Sequence, residues 1–287
     1  MNESTPRQHA VVTGAGNGLG AAIATELAAA GWDVTGVDVR REALEKVLAE
    51  ITETHGVTTH ALVGDLGDET FATEFVTSAW AFAPVDGLVN AAGIYPAIPF
   101  LEVDATKWNR VQAINVVAPL LATQQLARLA IDAGTTPAVV NITSGAANRA
   151  RPGTAHYSTS KAALTMLTKA SAIELGPAGI RVNAVAPGFF SVASEVNPIS
   201  EEYAAFMAGN ILPGTAKPQH VAGAVLFLLS DKAEWITGAT VPVDGGTSVG
   251  TRSLPQHWAG ESTWQAGAAS SSSTSPSTTP IEETTND

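Results

Sequence analysis

The chain has 287 residues, with 15 Lys and Arg against 27 Asp and Glu, a formal net charge of −12 and a pI near 4.9. That acidity argues against non-specific binding to nucleic acid or an anionic membrane, and the absence of cysteine rules out disulfides, thiolate metal sites and a cysteine nucleophile. The opening MNESTPRQHAVV lacks the charged-then-apolar pattern of a signal peptide, and no apolar run reads as long enough to span a bilayer, so a soluble cytoplasmic protein is expected.

In chain order, the brief β-branched run His9–Thr13 ends in the glycine cluster TGAGNGLG. An alanine-rich helical pattern follows to Ala30, where Gly31 stops it. Apolar runs then alternate with helical patterns. The runs are Asp33–Asp38, Thr59–Asp65, Val85–Asn90, Ala138–Thr143, Ile180–Pro187 and Gly238–Val243. The helices between them are expected near 41–55, 69–82, 105–131, 155–175 and 218–230. Such alternation predicts an α/β fold, a doubly wound, mostly parallel seven-stranded sheet with helices on both faces. An irregular lobe spans 189–217, a C-terminal extension runs over 250–287, and the SSSSTSPSTTP-containing stretch 266–287 has the composition of a disordered tail.

In a sheet of this kind ligands sit outside the carboxyl ends of the strands. Gly14, Asp38, Asp65, Asn90, Ser144 and Pro187 all fall there, as one binding edge would require. TGAGNGLG lies between a strand and a helix, where glycines let backbone N–H groups approach a pyrophosphate. Its spacing is Gly14-x-x-x-Gly18-x-Gly20, with Leu19 in the slot where a third glycine of the commoner motif would fall. Asp38, at the end of the second strand, can accept both hydroxyls of an adenosine ribose and would repel a 2′-phosphate. Asn17 adds no positive charge for such a phosphate, and Arg40 and Arg41 read as a solvated first helical turn. NAD is therefore expected over NADP. Asp65 is read as a partner of the adenine edge or as a helix cap.

The stretch from Ser144 to Lys161 holds a serine, a tyrosine 13 residues on and a lysine four residues after that. On a helix, Tyr157 and Lys161 stack on one face. An ammonium beside a phenol favours the phenolate, but lowering the phenol by roughly 3 units takes about 4 kcal/mol. One partly screened lysine is insufficient, so a second cation is expected nearby. His156 should point to another helix face. The six histidines form no metal-ligand spacing, so no metal is expected. GTSVG at 246–250 resembles a nucleophile elbow but has neither the following helix nor the acid-then-histidine order that a hydrolase needs.

These pieces resemble the short-chain dehydrogenase/reductase family over about His9 to Val249, through TGAGNGLG, NAAG at Asn90–Gly93, Asn115 in INVVAP, Ser144, YSTSK at Tyr157–Lys161 and APG at Ala186–Gly188. The resemblance implies one Rossmann-type catalytic domain over 1–249 and an NAD-dependent alcohol dehydrogenase or ketone reductase. It makes Tyr157 the general acid/base and gives Lys161 the nicotinamide ribose, with oxidised nicotinamide as the second cation. Ser144 would bond the substrate oxygen, and Asn115 would position a water joining Lys161 to solvent. It assigns the cofactor to Gly14, Asn17, Gly18, Leu19, Gly20, Asp38, Asp65, Leu66, Asn90, Ala91, Gly93, Tyr157, Lys161, Pro187 and Gly188. The family often has a second asparagine where Ala91 stands, and a carboxamide-anchoring threonine where Val192 stands.

Ile94 and Tyr95, Ala146 to Asn148, and Phe189 and Phe190 should line the substrate side. Being mostly apolar, they predict an apolar or aromatic carbonyl compound, with Arg149 and Arg151 read as surface residues. The alternatives are an NADPH-dependent 3-oxoacyl-carrier-protein reductase and a dinucleotide-binding sensor without turnover. The resemblance also implies a homotetramer whose small-molecule substrate is its partner, with no nucleic acid and no membrane.

Overall fold

A computed structural model of the chain describes residues 7–189, 211–213 and 216–250. The expected Phe190, the Val192 position and most of the 189–217 lobe lie outside the described residues, as does the extension beyond 250.

Seven strands form one sheet: β1 (His9–Thr13), β2 (Asp33–Asp38), β3 (Thr59–Val63), β4 (Gly87–Asn90), β5 (Ala138–Ile142), β6 (Arg181–Pro187) and β7 (Thr240–Val243). Their order is β3-β2-β1-β4-β5-β6-β7, and every pairing among them is parallel. The helices are α1 (Gly18–Ala29), α2 (Arg41–His55), α3 (Glu69–Phe82), α4 (Ala105–Gln112), α5 (Ala118–Ala133), α6 (Ala155–Leu175) and α7 (Pro218–Leu229). The fold is a Rossmann-type α/β fold with helices on both faces.

Strand alternation divides the core into two layers. Val12 and Val34 join Ile23, Leu27, Leu44, Leu48, Val225 and Leu228, so α1, α2 and α7 cover one face. Val11 and Val37 join Phe75, Val76, Leu126, Ile180 and Val182, which places α3 and α5 on the other. Each fully buried Leu, Val or Phe contributes about 1.5–3 kcal/mol of transfer free energy. The chain runs from β1 outward to β3, then returns to place β4 on the opposite side of β1. That reversal opens a crevice beyond Thr13 and Asn90.

The expected single helix over 105–131 is broken. A π turn at Ala113–Val117 separates α4 from α5, and the cause is in the sequence. Pro119 has no N–H to give the carbonyl four residues back, that of Asn115, and its ring crowds that carbonyl. Taken together, Ala105–Ala133 is long and apolar enough to cross a membrane by length and composition, which corrects the sequence reading, but half of its most apolar stretch is buried. Ala122, Leu126 and Ala130 pack against Phe75 and Val76 in the core.

Candidate active site

The glycine turn is shaped by what a side chain would strike. Gly14 has φ 72°, and a Cβ there would come within 3.0 Å of the Ala92 Cα. A Cβ on Gly20 would collide with the carbonyl oxygen of Gly14. Asn17 precedes α1 in an extended conformation and makes no side-chain cap, and no acidic residue occupies the first helical turn. The N-terminal N–H groups of α1 thus face the crevice without a capping side chain or a negative charge, which suits a pyrophosphate. Thr13, which the sequence reading passed over, accepts from the amides of Ala91 and Ala92 at 3.0 and 3.1 Å and fixes the start of NAAG against the glycine turn.

Asp38 is almost fully buried. Its Oδ2 accepts from Gly16 N at 3.0 Å and its Oδ1 from Arg40 N at 2.9 Å. Gly16, also missed, is what lets the carboxylate in, since a Cβ there would stand 2.8 Å from it. Arg40 is exposed at the start of α2, as expected, but its Nε also lies 3.3 Å from Asp38 Oδ1. Arg41 does turn outward, onto Glu45 at 3.0 Å.

Asp65 is paired across the edge with α4. Arg110 on α4 donates to its two carboxylate oxygens at 2.9 and 2.8 Å, and Gly67 N donates to Oδ1 at 2.8 Å. Burial acts to raise its pKa, but these bonds prevail and hold it below the ordinary carboxylate range. Asp68, not Asp65, caps α3, accepting from Thr70 N at 2.8 Å. Leu66 remains on the crevice wall with Ala92 and Ile114. Asn90 is likewise turned inward, donating at 2.9 Å to Asn141, whose own amide donates at 2.9 Å to Thr168 on α6. Its side chain therefore braces β4 against β5, while Asn90 also lines the crevice wall beside Leu66. Asn141 is buried in β5.

Ser144, Tyr157 and Lys161 come together at the carboxyl end of β5 and the start of α6. Lys161 is buried and donates to the Ile142 carbonyl at 2.8 Å. Its Nζ lies 5.8 Å from the Tyr157 ring centroid. Withdrawal from water lowers its pKa to about 8. Burial pushes the pKa of the Tyr157 phenol above the ordinary value, and Ser144 and Arg151 are the groups that pull it back down. Arg151 is half-buried near the phenol, not a surface residue, whereas Arg149 is exposed. Ser144 Oγ accepts from Ala146 N at 3.1 Å, which holds the hydroxyl over the short turn after β5.

Asn115 is fully buried in the π turn. Its side chain accepts from Ile94 N at 2.9 Å and donates to Ile94 O and to Ser160 Oγ, each at 3.0 Å. Ser160, another residue the sequence reading missed, passes the link on to the Tyr157 carbonyl at 2.7 Å. Gly93 is bare where Asn115 and Lys161 approach: a Cβ there would stand 3.3 Å from Asn115 Oδ1 and 3.3 Å from Lys161 Nζ.

On the substrate side, the Tyr95 and Tyr157 rings lie 5.9 Å apart at 56°. Ile94 and Phe189 are half-buried, Ala146 is buried and Asn148 is exposed. Across the edge, Gly188 N donates to Val243 O at 3.0 Å, and a Cβ on Gly188 would meet the Asp244 Cα at 2.6 Å. Pro187 and Gly188 thus have to lie flat against the last strand. The His156 ring meets the Pro96 carbonyl at 3.0 Å.

A bare glycine turn, an uncapped helix start and a buried carboxylate at the end of β2 fit a dinucleotide. Among the described residues no group of His, Asp or Glu could hold a metal. Residues 14–248 match the family model described as enoyl-(acyl carrier protein) reductase. The human protein L-xylulose reductase is 37% identical over 238 residues, covering 82% of this chain and 94% of its own. The solved structure of an NAD+-bound xylitol dehydrogenase is 32% identical with a TM-score of 0.76, over 83% of this chain and 98% of that one. A blue fluorescent protein from a metagenomic library, solved with NADPH, is 34% identical with a TM-score of 0.75, over 83% and 97%. The chain belongs to the short-chain dehydrogenase/reductase family and is one of its NAD(P)-dependent oxidoreductases.

Proposed function

We propose that the protein interconverts a secondary alcohol and its ketone with NAD(H), using Tyr157 as general acid/base, and that its substrate is a small polyol or ketose. The observation that carries the reading is the convergence of Ser144, Tyr157 and buried Lys161 at the sheet edge that bears the glycine turn. The bound nicotinamide supplies the hydride exchange. The chain's own groups do the rest. Ser144 donates to the substrate oxygen, Tyr157 takes or gives its proton, and Lys161 holds the ribose and returns the phenol to its reactive state. Asn115 positions a water between Lys161 and solvent.

Two features support NAD over NADP. Asp38 would face a 2′-phosphate with a carboxylate, and Arg40 is already committed to that carboxylate at 3.3 Å. The polyol assignment draws on the relatives: L-xylulose reductase and xylitol dehydrogenase carry such compounds in their names. Arg151, half-buried beside Tyr157, adds polar character. The second reading is the apolar or aromatic ketone first expected. It is favoured by the Tyr95 ring, 5.9 Å from that of Tyr157.

Initial rates with NADH and NADPH against short ketoses, aryl ketones and a 3-oxoacyl thioester decide among these. Preference for the thioester with NADPH would replace the proposal with the acyl reductase. Tight NADH binding without turnover across the panel would replace it with a sensor.

We further propose residues 1–249 as a single catalytic domain, because Met1–Gly250 forms one compact unit. The homotetramer is proposed on exposed Met166 and Ile173 of α6 and exposed Trp235 ahead of the edge strand β7. Light scattering at the mass of a monomer would count against it.

A further inference from the structure

The segment that follows NAAG is fastened at several points, and one fastening comes from a residue with no part in proton transfer or cofactor binding. Asn115 clasps Ile94 through both backbone groups, at 2.9 and 3.0 Å. Ile98 N donates to the Gly153 carbonyl at 3.0 Å. Between them the ring of His156 reaches back from the first turn of α6, its Nε2 3.0 Å from the Pro96 carbonyl. The side-chain amide of Gln112 donates to the His156 carbonyl at 3.2 Å, fixing that turn to α4.

His156 is fully buried. A carbonyl can only accept, so Nε2 carries the proton in this contact. Nδ1 has no hydrogen-bond partner among the described residues. A phenylalanine would fill the same space without leaving a ring nitrogen unpaired. What the imidazole adds over an apolar ring is therefore its single bond to Pro96.

The residue whose backbone is gripped on both sides by these contacts is Tyr95. Tyr95 is 39% exposed, so the core does not enclose it. Its ring nonetheless stands 5.9 Å from the ring of Tyr157, tilted at 56°. Asn115 fixes the residue before it and His156 the residue after it.

We infer that His156 is a positioning residue for the substrate: its bond to the Pro96 carbonyl fixes Tyr95 beside Tyr157 and so sets which carbonyl compounds can reach the acid/base. This rests on the reading of Tyr157 given above. His156 acts through Tyr95, so its loss changes substrate recognition and leaves the glycine turn and Asp38 untouched.

The test compares His156→Phe, which keeps volume and removes the bond, with His156→Gln, whose amide N–H is able to replace it. The full chain is used, and wild-type-like circular dichroism confirms folding. In His156→Phe, KM for the best ketone should rise tenfold or more while KM for reduced nicotinamide changes less than twofold. His156→Gln should recover most of the loss. In a Tyr95→Ala background, His156→Phe should add nothing further. Amide exchange over 94–98 should quicken in His156→Phe and stay unchanged in β1 and β4. Unaltered exchange over 94–98, equal movement of both KM values, or additive effects of the two substitutions would overturn the inference. Wild-type protein without turnover would sink the proposed function alone, and the exchange comparison would still decide whether His156 holds the segment.

Discussion

Lys161 and Ile142 are joined at 2.8 Å, the ammonium of a helix donating to the last carbonyl of a central strand. No anion among the described ion pairs meets this lysine, so a nearly buried cation is compensated by one peptide dipole. Its pKa falls from 10.5 to about 8 through desolvation. Between those values the unfolded chain binds more protons than the folded one, so this group's contribution to stability rises with pH across the window. Below it, the displacement corresponds to about 3 kcal/mol opposing folding, at about 1.4 kcal/mol for each pH unit.

Lys161→Met should therefore make the cofactor-free protein more stable at neutral pH, by about 1–2 kcal/mol once the lost hydrogen bond is deducted. It should also remove the gain in stability between pH 8 and 10.5 and abolish turnover. Urea unfolding of both forms across that range measures the first two effects. A variant less stable than the parent, with the pH slope intact, would show that Lys161 is not the source.

Tyr157→Phe removes the group proposed to move the substrate proton. Turnover should fall by about 10³-fold or more, while binding of reduced nicotinamide, read by fluorescence, stays near the parent value. The pH dependence has a definite sign. Alcohol oxidation needs the phenolate, and burial raises the phenol's pKa, so kcat/KM for oxidation should climb with pH through that pKa. Ketone reduction needs the phenol and should fall over the same range. Substantial activity in the phenylalanine variant would remove Tyr157 from the centre of the site.

The parts of the site that were legible in sequence are those fixed by local spacing. Tyr157 and Lys161 share a helix, and TGAGNGLG joins a strand to a helix, so neither required knowledge of distant contacts. The pairing of Asp65 with Arg110 was not legible, because the two lie 45 residues apart and no periodicity announces it. Thr13 was passed over because one hydroxyl at a strand end has many ordinary uses. The upward pull of burial on the Tyr157 phenol, and the part of Arg151 in opposing it, were not legible, because both depend on packing and not on spacing. The break in the long helix was recoverable. Asn115 followed four residues later by Pro119 states it, once the proline's missing donor is counted.

Asp38 and Arg40 make the cofactor preference testable as a pair. Asp38→Ser removes the carboxylate that would repel a 2′-phosphate and releases the guanidinium 3.3 Å away. The ratio of kcat/KM for NADPH over NADH should rise by about 10–100-fold, since each factor of ten is about 1.4 kcal/mol and the swap exchanges a repulsive charge for an attractive one. Asp38→Ser combined with Arg40→Ala should lose most of that gain. A parent enzyme that already prefers NADPH would contradict the assignment of NAD.

Pro119 connects helix geometry to proton transfer. Pro119 follows the π turn at Ala113–Val117 and has no N–H to give the Asn115 carbonyl. Pro119→Ala restores an N–H that can close on the Asn115 carbonyl, which would otherwise be left to a water near Lys161. An alanine also gains up to about 3 kcal/mol over proline in a helix interior, less near a helix start. The variant should therefore be as stable as the parent or more so, yet turn over more slowly, with kcat reduced several-fold and the KM for both substrates nearly unchanged. Asn115→Ala makes the contrasting case. It strips partners from both backbone groups of Ile94 and from Ser160, and should cost about 2–4 kcal/mol of stability along with activity. Urea unfolding and steady-state kinetics on the two variants separate the roles. If Pro119→Ala keeps the parent's kcat, the Asn115 carbonyl has no part in moving the proton, and the side-chain clasp on Ile94 is the whole of that residue's contribution.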